Sequence, residues 1–281
     1  MKLNLSIRAH DFDRRETVEE LAESISKHKI NSIQFAPGIS FPDMLSEAGN
    51  MNPGMGNYIR KQFDNHNIDI AVLSCYINMI HPDLKIRQDV LNKFKSYLNV
   101  AQSFGADMVA TETGCVDADI HYTEENFTDE AFDMVVDSVR ELVDHAEKVG
   151  MTVAIEGGKN HPIHTPERMK ELLDRIDSSN MQVILDVTNY LMPDSYNNQR
   201  DVINRSFELF GDRIYGVHLK DFVIKDNKIQ PVTIGTGEMD FPYLLEKINN
   251  HKPFLNLIME ETKEKELISA VNYLLETSKS I

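Results

Sequence analysis

The sequence predicts one α/β domain over residues 1–281, a closed (β/α)8 barrel of parallel strands that each lead into a helix. Three observations indicate this fold: eight short apolar runs of strand character, amphipathic helical segments between them, and no linker rich in Gly, Pro or Ser. A doubly wound open sheet is the alternative, but no GxGxxG motif follows the first strand. With 281 residues, 41% of them apolar, the chain can bury the large core of a barrel.

The predicted strands are mostly apolar at successive positions rather than at alternating ones. This pattern is typical of strands that are buried on both faces, as in a parallel sheet covered by helices. The eight segments are residues 3–7, 32–35, 68–74, 106–111, 151–156, 181–186, 213–220 and 254–260.

The helices are predicted from apolar residues that recur at steps of three and four, most clearly over 129–149. Their ends carry residues with known capping roles, since Ser and Thr accept hydrogen bonds from the first free N–H groups and Gly adopts the left-handed ending conformation. These signals are Thr17 with Glu20, Thr128, Thr165 with Pro166, Gly105 and Gly150.

The charge balance excludes several classes of partner. Lys and Arg number 29 against 45 Asp and Glu, a formal net charge of −16, which repels nucleic acid and anionic membranes. The start of the chain lacks the apolar stretch of a signal peptide, and no apolar run approaches the roughly 18 residues of a membrane helix. We therefore expect a soluble, cytoplasmic protein, in which Cys75 and Cys115 are reduced packing residues.

Functional residues are expected at the carboxyl ends of the strands, because these ends form the active site of such barrels. The last four predicted strands end at or near Glu156, Asp186, His218 and Glu260. Three carboxylates and an imidazole would converge there, and without a Lys or Arg between them a divalent cation is the simplest compensation. The mixed oxygen and nitrogen set suits Mn²⁺, Zn²⁺, Co²⁺ or Mg²⁺.

Each of these residues has an ordinary structural interpretation when it is taken alone. A strand-end carboxylate can cap the next helix, and a single buried His is more often a packing residue than a ligand. Their coincidence on successive strand ends favours a shared site. Glu261 adjoins Glu260, and strand alternation turns only one of them inward, so we select Glu260, which shares the parity of Ile258.

The motifs around these positions resemble a known family. VAIEGGKNH, VILDVTN, YGVHLKDF, GTGEMDF and LIMEE occur in this order and are similar to motifs of the sugar phosphate isomerase/epimerase group of xylose-isomerase-like TIM barrels. The resemblance implies that Glu156, Asp186, His218 and Glu260 hold one divalent metal, commonly Mn²⁺, Zn²⁺ or Co²⁺. It also implies that Glu156 and Glu260 act as acid and base on opposite faces of a small-molecule sugar, and that the chain can form a homo-oligomer.

The chemistry agrees with this resemblance. Isomerising or epimerising a sugar next to a carbonyl moves a proton from carbon through an enediolate, whose negative oxygens need stabilisation. A metal supplies the positive charge, and two carboxylates across the sugar plane can exchange the proton.

Further substrate-binding candidates surround the predicted site. His161 and Asn189 resemble residues that bind the substrate or support the site in the family, although sugar epimerases of the family often carry His where this chain has Asn189. Lys220 in HLKD, Glu112 and His10 also follow or end strands. A loop or supporting hydrogen bond is an equally good interpretation of each. Gly235 and Gly237 resemble a phosphate-binding loop only weakly and predict a simple turn.

Other functions share this architecture. A lyase that removes water from a keto-inositol begins with the same proton abstraction. An apurinic-site endonuclease is disfavoured by the net charge of −16 and by the single ligand set, since those enzymes use several zinc ions and a basic groove. A barrel that only binds a partner would have no reason to carry the four predicted ligands.

Overall fold

The computed structural model describes residues 2–28, 30–44 and 51–281 and contains the predicted closed barrel. Its eight strands are all parallel, and the last strand pairs with the first through Asn4–Asn256 to Ile7–Met259. The barrel strands are β1 (Asn4–Arg8), β2 (Ser32–Phe35), β3 (Asp69–Ser74), β4 (Met108–Glu112), β5 (Thr152–Glu156), β6 (Met181–Asp186), β7 (Ile214–Leu219) and β10 (Asn256–Met259).

Helices surround the barrel, and their ends follow the predicted capping signals. Thr17 and Glu20 form the reciprocal capping box of the first helix. Gly105 and Gly150 end two long helices with φ angles of 81° and 69°, where a side chain would be strained. The helices are α1 (Val18–Ser26), α2 (Pro37–Ser40), α3 (Pro53–Asp64), α4 (Leu84–Phe104), α5 (Asp129–Val149), α6 (Pro166–Ile176), α7 (Val187–Tyr190), α8 (Gln199–Phe210), α9 (Phe241–His251) and α10 (Leu267–Lys279).

The core has two layers. The larger layer lies between the strands and the helices, and a small cluster fills the inside of the barrel. The inner cluster consists of Val72, Met108, Ala110, Ala154, Ile184 and Ile258. Side chains alternate along a strand, so the residues two positions beyond Ala154 and Ile184 also point into the barrel. Glu156 and Asp186 therefore lie directly above the inner cluster.

An antiparallel hairpin, β8 (Asp221–Lys225) and β9 (Lys228–Val232), follows the seventh barrel strand and was not predicted. The loop after it is held by Asp221, which is 1% exposed. Both carboxylate oxygens of Asp221 accept backbone N–H groups, so the turn at Gly235 and Gly237 encloses a protein carboxylate. The five donors are the amides of Phe222 (2.9 Å), Gly235 (2.8 Å), Thr236 (3.1 Å), Gly237 (2.9 Å) and Met239 (3.0 Å).

Two further observations concern the chain as a whole. Cys75 and Cys115 are buried free thiols, as the sequence predicts. Within the described ranges, no helix is both long enough and apolar enough to cross a lipid bilayer.

Candidate metal centre

The carboxyl ends of neighbouring parallel strands bring the four predicted ligands together at one mouth of the barrel. Glu156 ends β5, Asp186 ends β6, His218 lies near the end of β7, and Glu260 follows β10 directly. Asp186 and Ile258 are the register partners of His218 on either side. One donor atom from each of the four residues lies within 4.8 Å of the others, and all four residues are buried.

Glu260 rather than Glu261 turns its carboxylate into the cluster, as strand alternation predicts. Glu261 has a φ of 57°, so the extended backbone ends at this residue. Its side chain is 38% exposed and approaches Arg8 at 3.3 Å instead.

The inner atoms of the cluster face one another without hydrogen-bond geometry. His218 Nδ1 lies 3.2 Å from Glu156 Oε1 and 2.9 Å from Glu260 Oε2. In the described part of the chain, His218 Nδ1 and Glu260 Oε2 are buried without a hydrogen bond of good geometry, and the buried Asp186 Oδ2 has only its ion pair with Lys220. Buried polar atoms are rarely left unpaired, and lone pairs that converge in this way are the donor set of a divalent cation. The residues present therefore fit a metal ion.

Two cations of the protein adjoin the carboxylates, so the expectation that no Lys or Arg stands between them is wrong. Lys220 Nζ lies 2.7 Å from Asp186 Oδ2 and 2.8 Å from Glu260 Oε1. Arg8 donates a hydrogen bond of 2.7 Å to Glu260 Oε1. Lys220 follows His218 by two residues and therefore points to the same side of the chain. These two cations do not neutralise the three carboxylates, because Arg8 also pairs with Asp11, and the remaining negative charge is left for a metal or a protonated His218 to balance.

The pKa values express this crowding of charge. Burial would lower the pKa of His218, but the charges of Glu156 and Glu260 outweigh it and raise that pKa to about 10. Burial raises the pKa of Asp186 to about 6 against the opposing charge of Lys220. Burial also acts to raise the pKa of Glu260, yet the charges of Lys220 and His218 hold it well below its usual value. Without a metal, His218 therefore carries a proton that a metal would displace.

Gln34 on β2 contacts the far side of the His218 ring and was missed from the sequence. Its Oε1 lies 2.8 Å from His218 Nε2. Its Nε2 donates to Ser74 Oγ at 2.9 Å and to Tyr76 Oη at 3.0 Å. The available signal was the polar side chain of Gln34 within the strand SIQF, which is buried at every position.

Arg8, the last residue of β1, is the second residue that sequence reasoning missed. Its guanidinium pairs with both carboxylate oxygens of Asp11, at 3.0 and 2.9 Å, while it also holds Glu260. This paired contact fixes the guanidinium plane, so Arg8 holds Glu260 from a defined direction. Arg8 could have been found from the sequence, because functional residues of such barrels lie at the carboxyl ends of the strands and Arg8 ends β1.

Asn189 lies inside the cluster. Its Nδ2 donates to Glu156 Oε1 at 2.7 Å, and its Oδ1 accepts from Lys220 at 2.9 Å. Its backbone N–H donates to Asp186 Oδ1 at 3.0 Å. Both ends of the Asn189 amide are therefore bound to protein groups, which is the supporting role that the sequence offers beside substrate contact.

The other predicted substrate residues lie nearby. His161 is 4% exposed; its Nδ1 lies 2.8 Å from Gly114 O, and its Nε2 lies 3.4 Å from Glu112 Oε1. Burial acts to lower the pKa of His161, but the hydrogen bond and charge of Glu112 raise it above its usual value. His10 packs edge-on against the ring of Tyr76. Burial, reinforced by the charge of Arg8, lowers the pKa of His10 to about 4, so this ring is neutral.

The fold and the site together define a parallel α/β barrel with a buried carboxylate and imidazole cluster that could hold a metal ion at its mouth. The chain belongs to the xylose isomerase-like TIM barrel family, whose model matches residues 22–277. No curated protein matches the sequence significantly.

Solved structures with the same fold include proteins named for different activities. A D-tagatose 3-epimerase-like protein superposes with a TM-score of 0.77 at 17% identity, covering 98% of this chain and 97% of its own. The probable 3-DHS dehydratase AsbF from Bacillus anthracis gives 0.76 at 15% identity, with coverage of 98% and 99%. An IolI protein with a bound zinc atom gives 0.74 at 18% identity, with coverage of 98% and 96%. At these identities the likeness concerns the fold alone.

Proposed function

We propose that this protein is a divalent-metal-dependent isomerase or epimerase of a small sugar, sugar acid or sugar phosphate. One observation carries the proposal: the carboxylates of Glu156 and Glu260 lie 3.2 and 2.9 Å from the same ring nitrogen of His218, in a buried cluster with unpaired donor atoms. Two carboxylates around one electrophilic centre can take a proton from carbon next to a carbonyl and return it.

Glu156, Asp186, His218 and Glu260 would hold the metal, with Mn²⁺, Zn²⁺ or Co²⁺ as the leading candidates and Mg²⁺ as a further one. When bound, the cation supplies positive charge that stabilises the oxygens of the enediolate.

The chain itself positions the proton-transferring groups. Asn189 holds Glu156 through one carboxylate oxygen, and Arg8 and Lys220 hold Glu260 through one of its oxygens. Each carboxylate is fixed by partners that do not move with the substrate, which is the preorganisation that proton transfer at carbon requires.

Substrate contacts are proposed for the groups around the cluster. His161 with Glu112 and the neutral ring of His10 can donate hydrogen bonds to sugar oxygens or accept them from sugar hydroxyls, and the ammonium of Lys220 can donate them. Asn189 would act mainly by holding Glu156 and Lys220, because both ends of its amide are engaged.

Exchange of carbon-bound protons tests the proposal. Metal-loaded protein is incubated in D₂O with ketoses, sugar acids, sugar phosphates and keto-inositols, and deuterium incorporation is followed by NMR. Glu156→Gln and Glu260→Gln should each abolish exchange while circular dichroism stays native. Glu261→Gln is the matched control, because Glu261 adjoins Glu260 but points away from the cluster. Exchange that persists in both cluster variants would refute the assignment.

A lyase that removes water is the second candidate. The fold is shared with a probable dehydratase as well as with an epimerase-like protein, and the first step, abstraction next to a carbonyl, is common to both reactions. Mass spectrometry of the products separates them: dehydration lowers the substrate mass by one water, whereas isomerisation or epimerisation leaves it unchanged.

A further inference from the structure

We propose that Gln34 is a positioning residue of the metal centre, which fixes the tautomer of His218 so that Nδ1 presents its lone pair to the cation. The inference rests on the metal centre of the proposed function, and it concerns how this chain prepares that centre.

The geometry places Gln34 opposite the cluster. His218 presents Nδ1 to Glu156 and Glu260, while its Nε2 lies 2.8 Å from Gln34 Oε1. Gln34 stands on β2, and the barrel order separates β2 from β7 by β1 and β10, so the side chain reaches across the mouth. It is 1% exposed, so water is poorly placed to replace its contact.

The chemistry of imidazole makes this contact decisive. A neutral His carries one N–H, and a nitrogen that binds a metal must be the one without it. Gln34 Oε1 accepts a hydrogen bond and cannot donate one, so it places the proton of His218 on Nε2. The proton would otherwise occupy Nδ1, where it points into the carboxylates and occupies the donor position.

The orientation of the Gln34 amide is itself held. Its Nε2 donates to the hydroxyl oxygens of Ser74 and Tyr76, and both of these can accept. A reversed amide would set an N–H against His218 Nε2 and force the proton onto Nδ1. In the structure both hydroxyls lie against Nε2 of the amide and Oε1 faces the imidazole, an arrangement that supporting residues of metal-bound His commonly adopt.

The test compares metal affinity in three variants. Gln34→Met removes the acceptor with little change in volume, Gln34→Glu keeps an acceptor to which Ser74 and Tyr76 can turn their hydroxyl protons, and Gln182→Met is the matched control. Gln182 is also buried, at 4% exposed, but its Nε2 bonds Ser179 O. Zn²⁺ and Mn²⁺ dissociation constants are measured by competition with a chromophoric chelator and by calorimetry.

Gln34→Met should weaken Zn²⁺ and Mn²⁺ binding about 10- to 100-fold, whereas Gln34→Glu and Gln182→Met should retain it. Two-bond ¹⁵N–¹H spectra of the Zn²⁺-loaded protein should show His218 protonated at Nε2 in the wild type and in Gln34→Glu. This signature locates the zinc ion on Nδ1, and the positioning role of Gln34 is read from the loss of affinity in Gln34→Met and its rescue in Gln34→Glu.

The outcomes separate this inference from the proposed function. Wild-type protein that binds neither ion would overturn both. Wild-type binding with unchanged affinity in Gln34→Met, an equal loss in Gln182→Met, or zinc on Nε2 of His218 would overturn the role of Gln34 and leave the metal centre in place.

Discussion

Lys220 Nζ lies 2.7 Å from Asp186 Oδ2, so an internal ammonium group occupies one face of a proposed metal ligand. Burial would lower the pKa of Lys220, but the charges of Asp186 and Glu260 raise it above its usual value, and the group stays charged at any ordinary pH. The protein therefore has its own partial counter-charge for the cluster, and a metal must share the carboxylates with it.

Replacing Lys220 with Met should destabilise the metal-free protein by about 3–5 kcal/mol, because it leaves buried carboxylates without a partner. Added Zn²⁺ or Mn²⁺ should then raise the unfolding temperature more than it does in the wild type, since the ion no longer competes with an ammonium group. Thermal unfolding with and without a chelator measures both effects. Lys225→Met, on the exposed end of the hairpin, is the control. An equal response in Lys220→Met and wild type would contradict the competition.

Asp221→Asn should lower the free energy of unfolding by about 1–3 kcal/mol, because the carboxylate accepts five backbone amides and an Asn oxygen serves only one side of that set. Urea denaturation followed by circular dichroism measures the change. Asp226→Asn is the control variant. Asp226 lies in the exposed hairpin turn with a φ of 49°, a conformation that Asn also adopts, so this change should cost little. Similar losses in the two variants would show that the amides do not depend on the carboxylate.

Gly237→Ala should destabilise the fold by about 1–3 kcal/mol through overpacking. A Cβ at this position would lie 2.3 Å from the backbone oxygen of Phe222 and 2.4 Å from Asp221 Oδ1. Gly211→Ala is the matched change, because its Cβ would meet Phe207 at an ordinary 3.5 Å and its φ is −56°. Chemical denaturation of both variants gives the comparison, and a Gly237→Ala protein as stable as Gly211→Ala would disprove the close approach.

Both thiols should be unreactive in the native protein. Cys75 is 2% exposed and Cys115 is 0% exposed, and burial raises the pKa of Cys75 to about 12. At pH 8 the thiolate fraction of Cys75 is then about 10⁻⁴, and it rises only as the pH approaches that value. Ellman's reagent should therefore titrate two thiols in guanidinium chloride and almost none without it. Rapid native reaction at pH 8 would indicate that the thiols are accessible.

The architecture could be predicted because its signals lie in short stretches of the sequence. Successive apolar residues mark each strand, and caps such as Thr17 with Glu20 mark where helices begin. Glu156 and Asp186 could be found for the same reason, since the strand ends are visible in the sequence and the fold dictates that they meet. The hairpin after Asp221 was missed because its strand β9 is mostly exposed and contains Pro231, which obscures the strand signal.

The supporting residues depend on contacts across the barrel. Gln34 and His218 are 184 positions apart, and Arg8 and Glu260 are 252 apart. The residues that adjoin Gln34 in the sequence do not indicate that the imidazole of His218 will contact it. Lys220 was named as a candidate, but whether its ammonium would meet substrate or carboxylate depends on a side-chain direction that only the packed structure fixes.

The ladder between β1 and β10 has a consequence for synthesis. These strands close the cylinder, yet β1 is synthesised before all other strands of the barrel and β10 after them. A nascent chain that lacks β10 carries two open sheet edges and only three of the four proposed ligands. Such an intermediate exposes the unpaired backbone N–H and C=O groups of its edge strands to other chains. Chaperones bind intermediates of this kind. The proposed metal site should thus be completed late in synthesis. Chains that end before β10 should lack the site and expose unpaired strand edges, which cellular quality control can recognise.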